Sequence, residues 1–183
     1  MNIIPTPLGG VFVVETRTLS DSRGAFTRLF CAQSLTDLMG SRQIVQINHS
    51  RTSRAGAVRG MHFQRPPHAE MKLVRCIRGR VWDVVVDLRT DSPTFMQSHA
   101  QELDMASARM LVIPEGCAHG FQALEPDSEL IYLHTAFYTP SAEGGLRHDD
   151  PALAIRWPLE PIDLSERDRS HPQLPDDFAG IQV

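Results

Sequence analysis

The stretch KLVRCIRGRVWDVVVDL, residues 72–88, decides the fold class. Its two runs, KLVRCI (72–77) and RVWDVVVDL (80–88), are dominated by β-branched and apolar residues, which suit a pleated backbone. Gly79 between them supplies a position with φ > 0, so the spacing predicts that the two strands pair as a hairpin, with Lys72 and Asp83 on neighbouring strands. Alternation sends Val81, Asp83, Val85 and Asp87 to one face, and Trp82, Val84, Val86 and Leu88 to the other. An acid on a largely apolar face needs a partner.

The same short period recurs outward from this centre, in VFVVE (11–15), QIVQIN (43–48), RMLVI (109–113) and ELIYLHTAFY (129–138), with turn formers between the runs. The one convincing helical stretch in the first half is CAQSLTDLMG (31–40), with Gly40 as its C-cap. From about residue 151 the chain is proline-rich and without period. This tail is predicted to wrap the strands, with at most a short helix near 163–169. The expectation is all-β: one domain over 1–183, a jelly-roll barrel with a few short helices.

The 183 residues, 18 basic and 22 acidic, give a formal charge of −4, which offers no general reason for nucleic-acid binding. No run reaches the roughly 18 apolar residues of a membrane span, and the amino terminus has no signal-peptide pattern, so a cytoplasmic protein is expected. Cys31, Cys76 and Cys117 are too few and too far apart for a disulfide framework or a cysteine zinc site.

Three segments carry chemistry. In VRGMHFQRPPHAEMK (58–72), Pro66-Pro67 ends a strand before Lys72 begins the next, and alternation opposes Met61 and Phe63 to Gly60, His62 and Gln64. If the first pair packs outward, His62 and Gln64 face the barrel mouth. A catalytic metal barrel asks for a second histidine at position 64, and an amide is a poor ligand, although Glu70 and His119 leave a metal arrangement with His62 conceivable. In IPEGCAHGF (113–121), Pro114 and Gly116 turn the chain into a strand carrying His119, with Asp83 an attractive partner to fix its tautomer. In ELIYLHTAFY, Leu130, Tyr132, His134 and Ala136 share one face, so Tyr132 is a candidate to line the cavity.

Taken with DSRGAF (21–26), QIN (46–48), SPTF (92–95), DDPALAIRWP (149–158) and LSERD (164–168), these segments resemble the dTDP-4-dehydrorhamnose 3,5-epimerase family from about residue 5 to 170. That resemblance implies a metal-free, cofactor-free cupin-type barrel that epimerises nucleotide-linked 4-keto-6-deoxy sugars, as a homodimer with exchanged amino-terminal strands. It assigns His62 as the base, Asp168 as the carboxylate orienting it, Lys72 as the cation at the carbonyl oxygen and Tyr132 as the acid on the opposite face. It places Arg23 and Arg59 on the diphosphate, Gln46 and Asn48 near the nucleotide, and Phe26 and Tyr138 around the base; His119 and Asp83 complete the substrate-facing set. Neither membrane nor nucleic acid is implied.

Departures cluster around the expected substrate entrance: Arg28 for a glutamate, Ile47 for an aspartate, Leu133, Ala136 and Phe137 for a lysine, an asparagine and a tyrosine, His148 for a tryptophan, and Arg167 for a lysine. They leave room for a different nucleotide sugar, or for inversion at C3 or C5 alone. They also motivate a non-catalytic nucleotide-sugar binder as an alternative, beside a metal-dependent cupin using His62, Glu70 and His119. His68 has no assigned role.

Overall fold

The computed structural model describes residues 1–183. Thirteen strands are present: β1 (Asn2–Pro5), β2 (Phe12–Glu15), β3 (Thr18–Asp21), β4 (Gly24–Thr27), β5 (Gln46–Thr52), β6 (Val58–Gln64), β7 (Lys72–Arg78), β8 (Arg80–Asp87), β9 (Ser98–Asp104), β10 (Arg109–Ile113), β11 (Cys117–Ala123), β12 (Ser128–His134) and β13 (Glu143–Gly145). Six form one antiparallel sheet in the order β1-β2-β10-β7-β12-β5, and five form a second, β13-β6-β11-β8-β9. The two sheets face each other as a jelly-roll sandwich rather than closing into one hydrogen-bonded barrel.

Strand alternation explains why both sheets are covered on both sides. Val81, Val85, Cys117 and Phe121 from one sheet meet Val74, Cys76, Leu111 and Leu130 from the other in a core between them. Met61, Phe63, Val84, Val86 and Leu88 point the opposite way, as their alternation predicts, and are covered by tail residues including Leu153, Trp157 and Phe178. The outer face of the first sheet, with Val14, Leu73, Met110 and Leu133, is sealed by Leu35 and Met39. Those two come from the predicted helical stretch, which is a 3-10 turn at Gln33–Leu35 running into a single α turn, α1 (Thr36–Met39), stopped by Gly40 at φ 56°.

The predicted hairpin at Gly79 is corrected. Gly79 does adopt φ 70°, but β7 takes β10 and β12 as neighbours, whereas β8 takes β9 and β11. The glycine turns a corner between the sheets, tight enough that an added Cβ would lie 2.5 Å from Ser128 Oγ, which receives the Arg80 N–H. Lys72 and Asp83 therefore approach the space between the sheets from opposite walls. Two strand limits also move: QIVQIN only begins a strand that runs on to Thr52, and ELIYLHTAFY stops being a strand at His134, leaving Tyr138 in the following loop.

The tail wraps as expected and contains one short helix, α2 (Glu166–Ser170). Ile181 exchanges backbone hydrogen bonds with Leu88 and Thr90, and the Gln122 amide joins Leu159 through both its oxygen and its nitrogen. Asp150 receives the N–H groups of Ala152 and Leu174, and Trp157 Nε1 donates to the His148 carbonyl, so DDPALAIRWP serves the wrapping.

SPTF has a structural role too. Asp87, fully buried, receives Arg89 Nε at 2.8 Å, Thr94 Oγ1 at 2.6 Å and the Ser92 hydroxyl at 2.5 Å. Burial alone would raise this carboxyl; the Arg89, Ser92 and Thr94 bonds outweigh it and bring it down to about 2. A depressed carboxylate stabilises the fold above its unfolded value near about 4, and that contribution is lost as pH falls toward 2. Asp87→Asn is therefore expected to reduce unfolding free energy by about 3 kcal/mol at pH 7, with the gap narrowing below pH 4 in urea titrations. Equal stability of the two proteins at pH 7 would contradict this.

Candidate active site

Between the sheets, at one end of the core, lies a cavity of about 850 Å³. His62, Lys72, Tyr132, Asp168, Arg59 and His119 all line it.

Asp168 arrives there because SERD is a helix start. Ser165 is the N-cap of α2 and its Oγ receives the Asp168 N–H at 3.0 Å, placing Asp168 in the first turn. The carboxylate does not turn back to its own helix. Oδ1 meets His62 Nε2 at 2.7 Å and Oδ2 receives the Gly60 N–H at 3.3 Å. Burial opposes the charge, but the His62 bond and charge, with Gly60 and Ser165, bring the Asp168 carboxyl to about 2. An ionised acceptor at Nε2 fixes the proton there and leaves Nδ1 of His62 as the nitrogen with a free lone pair. Arg167, beside the pair, places NH2 3.3 Å from His62 Nε2 and is tied by NH1 to Glu143 at 2.9 Å.

Tyr132 enters from the opposite sheet. Its hydroxyl lies 3.1 Å from Ser50 Oγ, and its ring sits edge-on to His119 and stacked on His134. Burial pushes the phenol well above its ordinary value against the Ser50 hydrogen bond, so it stays protonated at neutral pH. His119 is held by both oxygens of Asp83, at 2.9 and 3.0 Å. Asp83 is fully buried and reaches the cavity only through that ring.

Lys72 spans the two walls. From the six-stranded sheet its Nζ donates to the His62 carbonyl of the other sheet at 3.2 Å and pairs with Glu70 Oε1 at 3.2 Å. Arg59 is oriented by Thr52 Oγ1 and the Arg51 carbonyl. Gln46, Asn48 and Tyr138 also border the cavity.

Several sequence expectations change. Gln64 does not share the mouth with His62: it is buried, donates to the His68 and Phe137 carbonyls, and receives the Thr139 N–H, pinning two loops together. Its only link to His68 is that backbone carbonyl. Ile47 alternates away from Gln46 and Asn48 and is 64% exposed on the outer face of β5, so it does not alter the cavity. Arg23 and Phe26 stand apart from the cavity on the β3–β4 hairpin, where Arg23 pairs with Asp21 and Phe26 is 67% exposed. No sequence pattern marks Ser50 or Glu143 as part of the site, whereas the S-x-x-D spacing at 165–168 marks Ser165 as a helix cap.

The side chains that a cupin metal would use, His62, Glu70 and His119, are committed to other partners: His62 to Asp168, His119 to Asp83, and Glu70 to Lys72 and His134. A different trio, His62, Asp168 and His171, brings its donor atoms within 4.8 Å of one another. The Arg167 guanidinium, 3.3 Å from His62 Nε2 and 3.8 Å from Asp168 Oδ1, sets a fixed positive charge against an ion at that place.

Residues 5–176 match the family model described as dTDP-4-dehydrorhamnose 3,5-epimerase. The enzyme of that name from Salmonella typhimurium is 41% identical over 176 residues, spanning 95% of this chain and 96% of its own. Among solved structures, the Legionella pneumophila dTDP-6-deoxy-D-glucose-3,5-epimerase in complex with dTDP-4-keto-L-rhamnose superposes with a TM-score of 0.92 at 36% identity, covering 100% of this chain and 98% of that one. NovW, a 4-keto-6-deoxy sugar epimerase from the novobiocin biosynthetic gene cluster of Streptomyces spheroides, gives 0.90 at 36% identity over 94% of this chain and 87% of its own.

Proposed function

The chain belongs to the dTDP-4-dehydrorhamnose 3,5-epimerase family, and from that premise we propose how its cavity works. It is an isomerase that epimerises a nucleotide-linked 4-keto-6-deoxyhexose at the carbons flanking the ketone. The observation that carries the mechanism is the opposition of His62 on one sheet, paired with Asp168 of α2, to Tyr132 on the other, with the Lys72 ammonium reaching from the Tyr132 sheet to the His62 carbonyl.

A ketone acidifies the C–H bonds on its neighbouring carbons. His62 Nδ1 takes that proton; Asp168 holds the ring and faces the positive charge that forms on it. The electron pair moves into the carbonyl, and the enolate oxygen is met by Lys72, whose charge acts most strongly as that negative charge develops. Tyr132 delivers a proton to the opposite face, which inverts the carbon. The phenolate regains a proton and the imidazolium loses one to solvent, so atoms and charge balance and the substrate's own ketone is the electron sink.

Arg59 suits the diphosphate as a charge-assisted donor, with Gln46, Asn48 and Tyr138 at the nucleotide end and His119 against the sugar. Arg23 and Phe26 reach a site only if the β3–β4 hairpin crosses to a second copy of the chain, and its exposed apolar Leu19 and Phe26 support that exchange. A fully active monomer by light scattering would contradict it. The cytoplasm as the place of work is supported by three cysteines without a disulfide.

Tyr132→Phe tests the division of labour. With dTDP-4-dehydro-6-deoxyglucose followed by NMR, the wild-type chain is expected to yield the inverted sugar, dTDP-4-dehydrorhamnose. The variant is expected to form it about 100-fold more slowly while still exchanging the substrate's α-proton through His62. Unchanged substrate with the wild-type chain would overturn the function, and undiminished inversion by the variant would overturn the role of Tyr132.

A further inference from the structure

Lys72 sits at the end of a hydrogen-bond chain whose direction is fixed from the far side of the cavity. The Tyr138 backbone N–H donates to Gln46 Oε1 at 3.1 Å, and a backbone N–H has no alternative orientation. That contact turns the Gln46 amide nitrogen toward Asn48 Oδ1 at 3.2 Å. The Asn48 nitrogen then faces His134 Nε2 at 3.3 Å, which makes Nε2 an acceptor and puts the ring proton on Nδ1. His134 Nδ1 meets Glu70 Oε2 at 2.7 Å, and the other Glu70 oxygen pairs with Lys72 Nζ at 3.2 Å. Every donor points toward Glu70.

We propose that Glu70 and His134 are positioning residues for Lys72, holding its ammonium where the enolate oxygen develops through a chain anchored at the Tyr138 N–H. Neither residue needs to touch the substrate for this. The inference rests on Lys72 facing that oxygen, as argued above. Glu70 and His134 are about as buried as the lysine, with side-chain exposures of 8% and 10% against 9% for Lys72, so a displaced carboxylate is not readily replaced by water. Burial raises the Glu70 carboxyl, but the His134 hydrogen bond and the Lys72 charge outweigh it and hold it below its ordinary value. Glu70 thus meets both neighbours as an ionised double acceptor.

The chain's direction makes a neutral isostere informative. A glutamine at 70 offers one acceptor, and if that serves Lys72 its amide nitrogen faces the His134 Nδ1 proton. Moving the proton to Nε2 sets it against the Asn48 nitrogen. Flipping Asn48 sets it against Gln46, and flipping Gln46 brings two donors together at the Tyr138 backbone, which cannot turn. The conflict has no outlet within the chain.

The test compares E70Q, H134A and the double variant with the wild-type chain, using kcat and KM on dTDP-4-dehydro-6-deoxyglucose and circular dichroism. E70Q is expected to lower kcat by about 10- to 100-fold through a misplaced ammonium, with KM within about twofold and an unchanged spectrum. H134A is expected to lower kcat as well. Adding it to E70Q is expected to cause no further loss, because it removes the opposing donor. Were E70Q to unfold, a kcat loss in folded H134A would carry the proposal and wild-type kcat there would overturn it. Wild-type kcat in E70Q, or losses that multiply in the double variant, would overturn the positioning role while leaving the epimerase reading intact. Absence of turnover by the wild-type chain would overturn both.

Discussion

His62→Asn is expected to lower kcat by about 10²- to 10⁴-fold, the range that a positioned general base contributes. Asparagine ends short of the position of His62 Nε2, but Asp168 keeps the Gly60 N–H on Oδ2 at 3.3 Å and the Arg167 guanidinium 3.8 Å from Oδ1, so the carboxylate is not stranded and the local fold is retained. What disappears is the basic Nδ1. Because the loss falls on proton removal rather than on the contacts that hold the nucleotide, KM should move far less than kcat. Steady-state kinetics with circular dichroism as a control check this, and a folded variant within tenfold of wild-type kcat would remove His62 from the role of base.

Lys72→Met should cost about 10²- to 10³-fold in kcat, comparable with deleting one preorganised donor to a developing oxyanion. Methionine keeps much of the length and apolar volume of the lysine stem while removing the ammonium. A second consequence separates this variant from the first. Glu70 is buried against Lys72, and removing one partner of a buried ion pair typically costs about 3 to 5 kcal/mol, so Lys72→Met should melt at a lower temperature than His62→Asn. Loss of activity in a folded Lys72→Met protein is the expected result, measured below its own melting transition. Undiminished kcat would place the enolate oxygen elsewhere.

The sequence was most legible where a property is local. Alternation in RVWDVVVDL separates Val81 and Val85 in the inner core from Val84, Val86 and Leu88 beneath the tail, because side-chain direction along a strand depends only on the period of two. Pairing is not local. Gly79 has the φ that a tight hairpin uses, yet the chain turns a corner there, because β7 finds its partners in β10 and β12, far away in sequence. The same reason hid the limits of β5 and β12, whose ends depend on their sheet neighbours.

The site shows a parallel contrast. His62, Lys72, Tyr132 and Asp168 stood in motifs whose resemblance to a family gave each a role, and all four line one cavity. Gln64 appeared beside His62 by alternation, but its amide is taken up by loop backbone at 137–139 that no local pattern announces. Glu70 was visible only as a conceivable metal ligand. Its bonds to His134 and Lys72 depend on β12 lying next to β7, a register that brings His134 opposite Lys72. Among the departures from the family pattern, Ile47 faces outward and does not line the cavity, so a changed residue in a matching motif need not lie where the substrate sits.

The central claim is that inversion proceeds by solvent-exchangeable proton transfer, with His62 as base and Tyr132 as acid on opposite walls. Its most direct measurement is NMR of the sugar after turnover in heavy water, with wild-type and His62→Asn proteins side by side. The account predicts deuterium at each inverted carbon with the wild-type chain and almost none on the same timescale with the variant. Inverted product that retains its original hydrogen, or equal deuterium incorporation by both proteins, would contradict it.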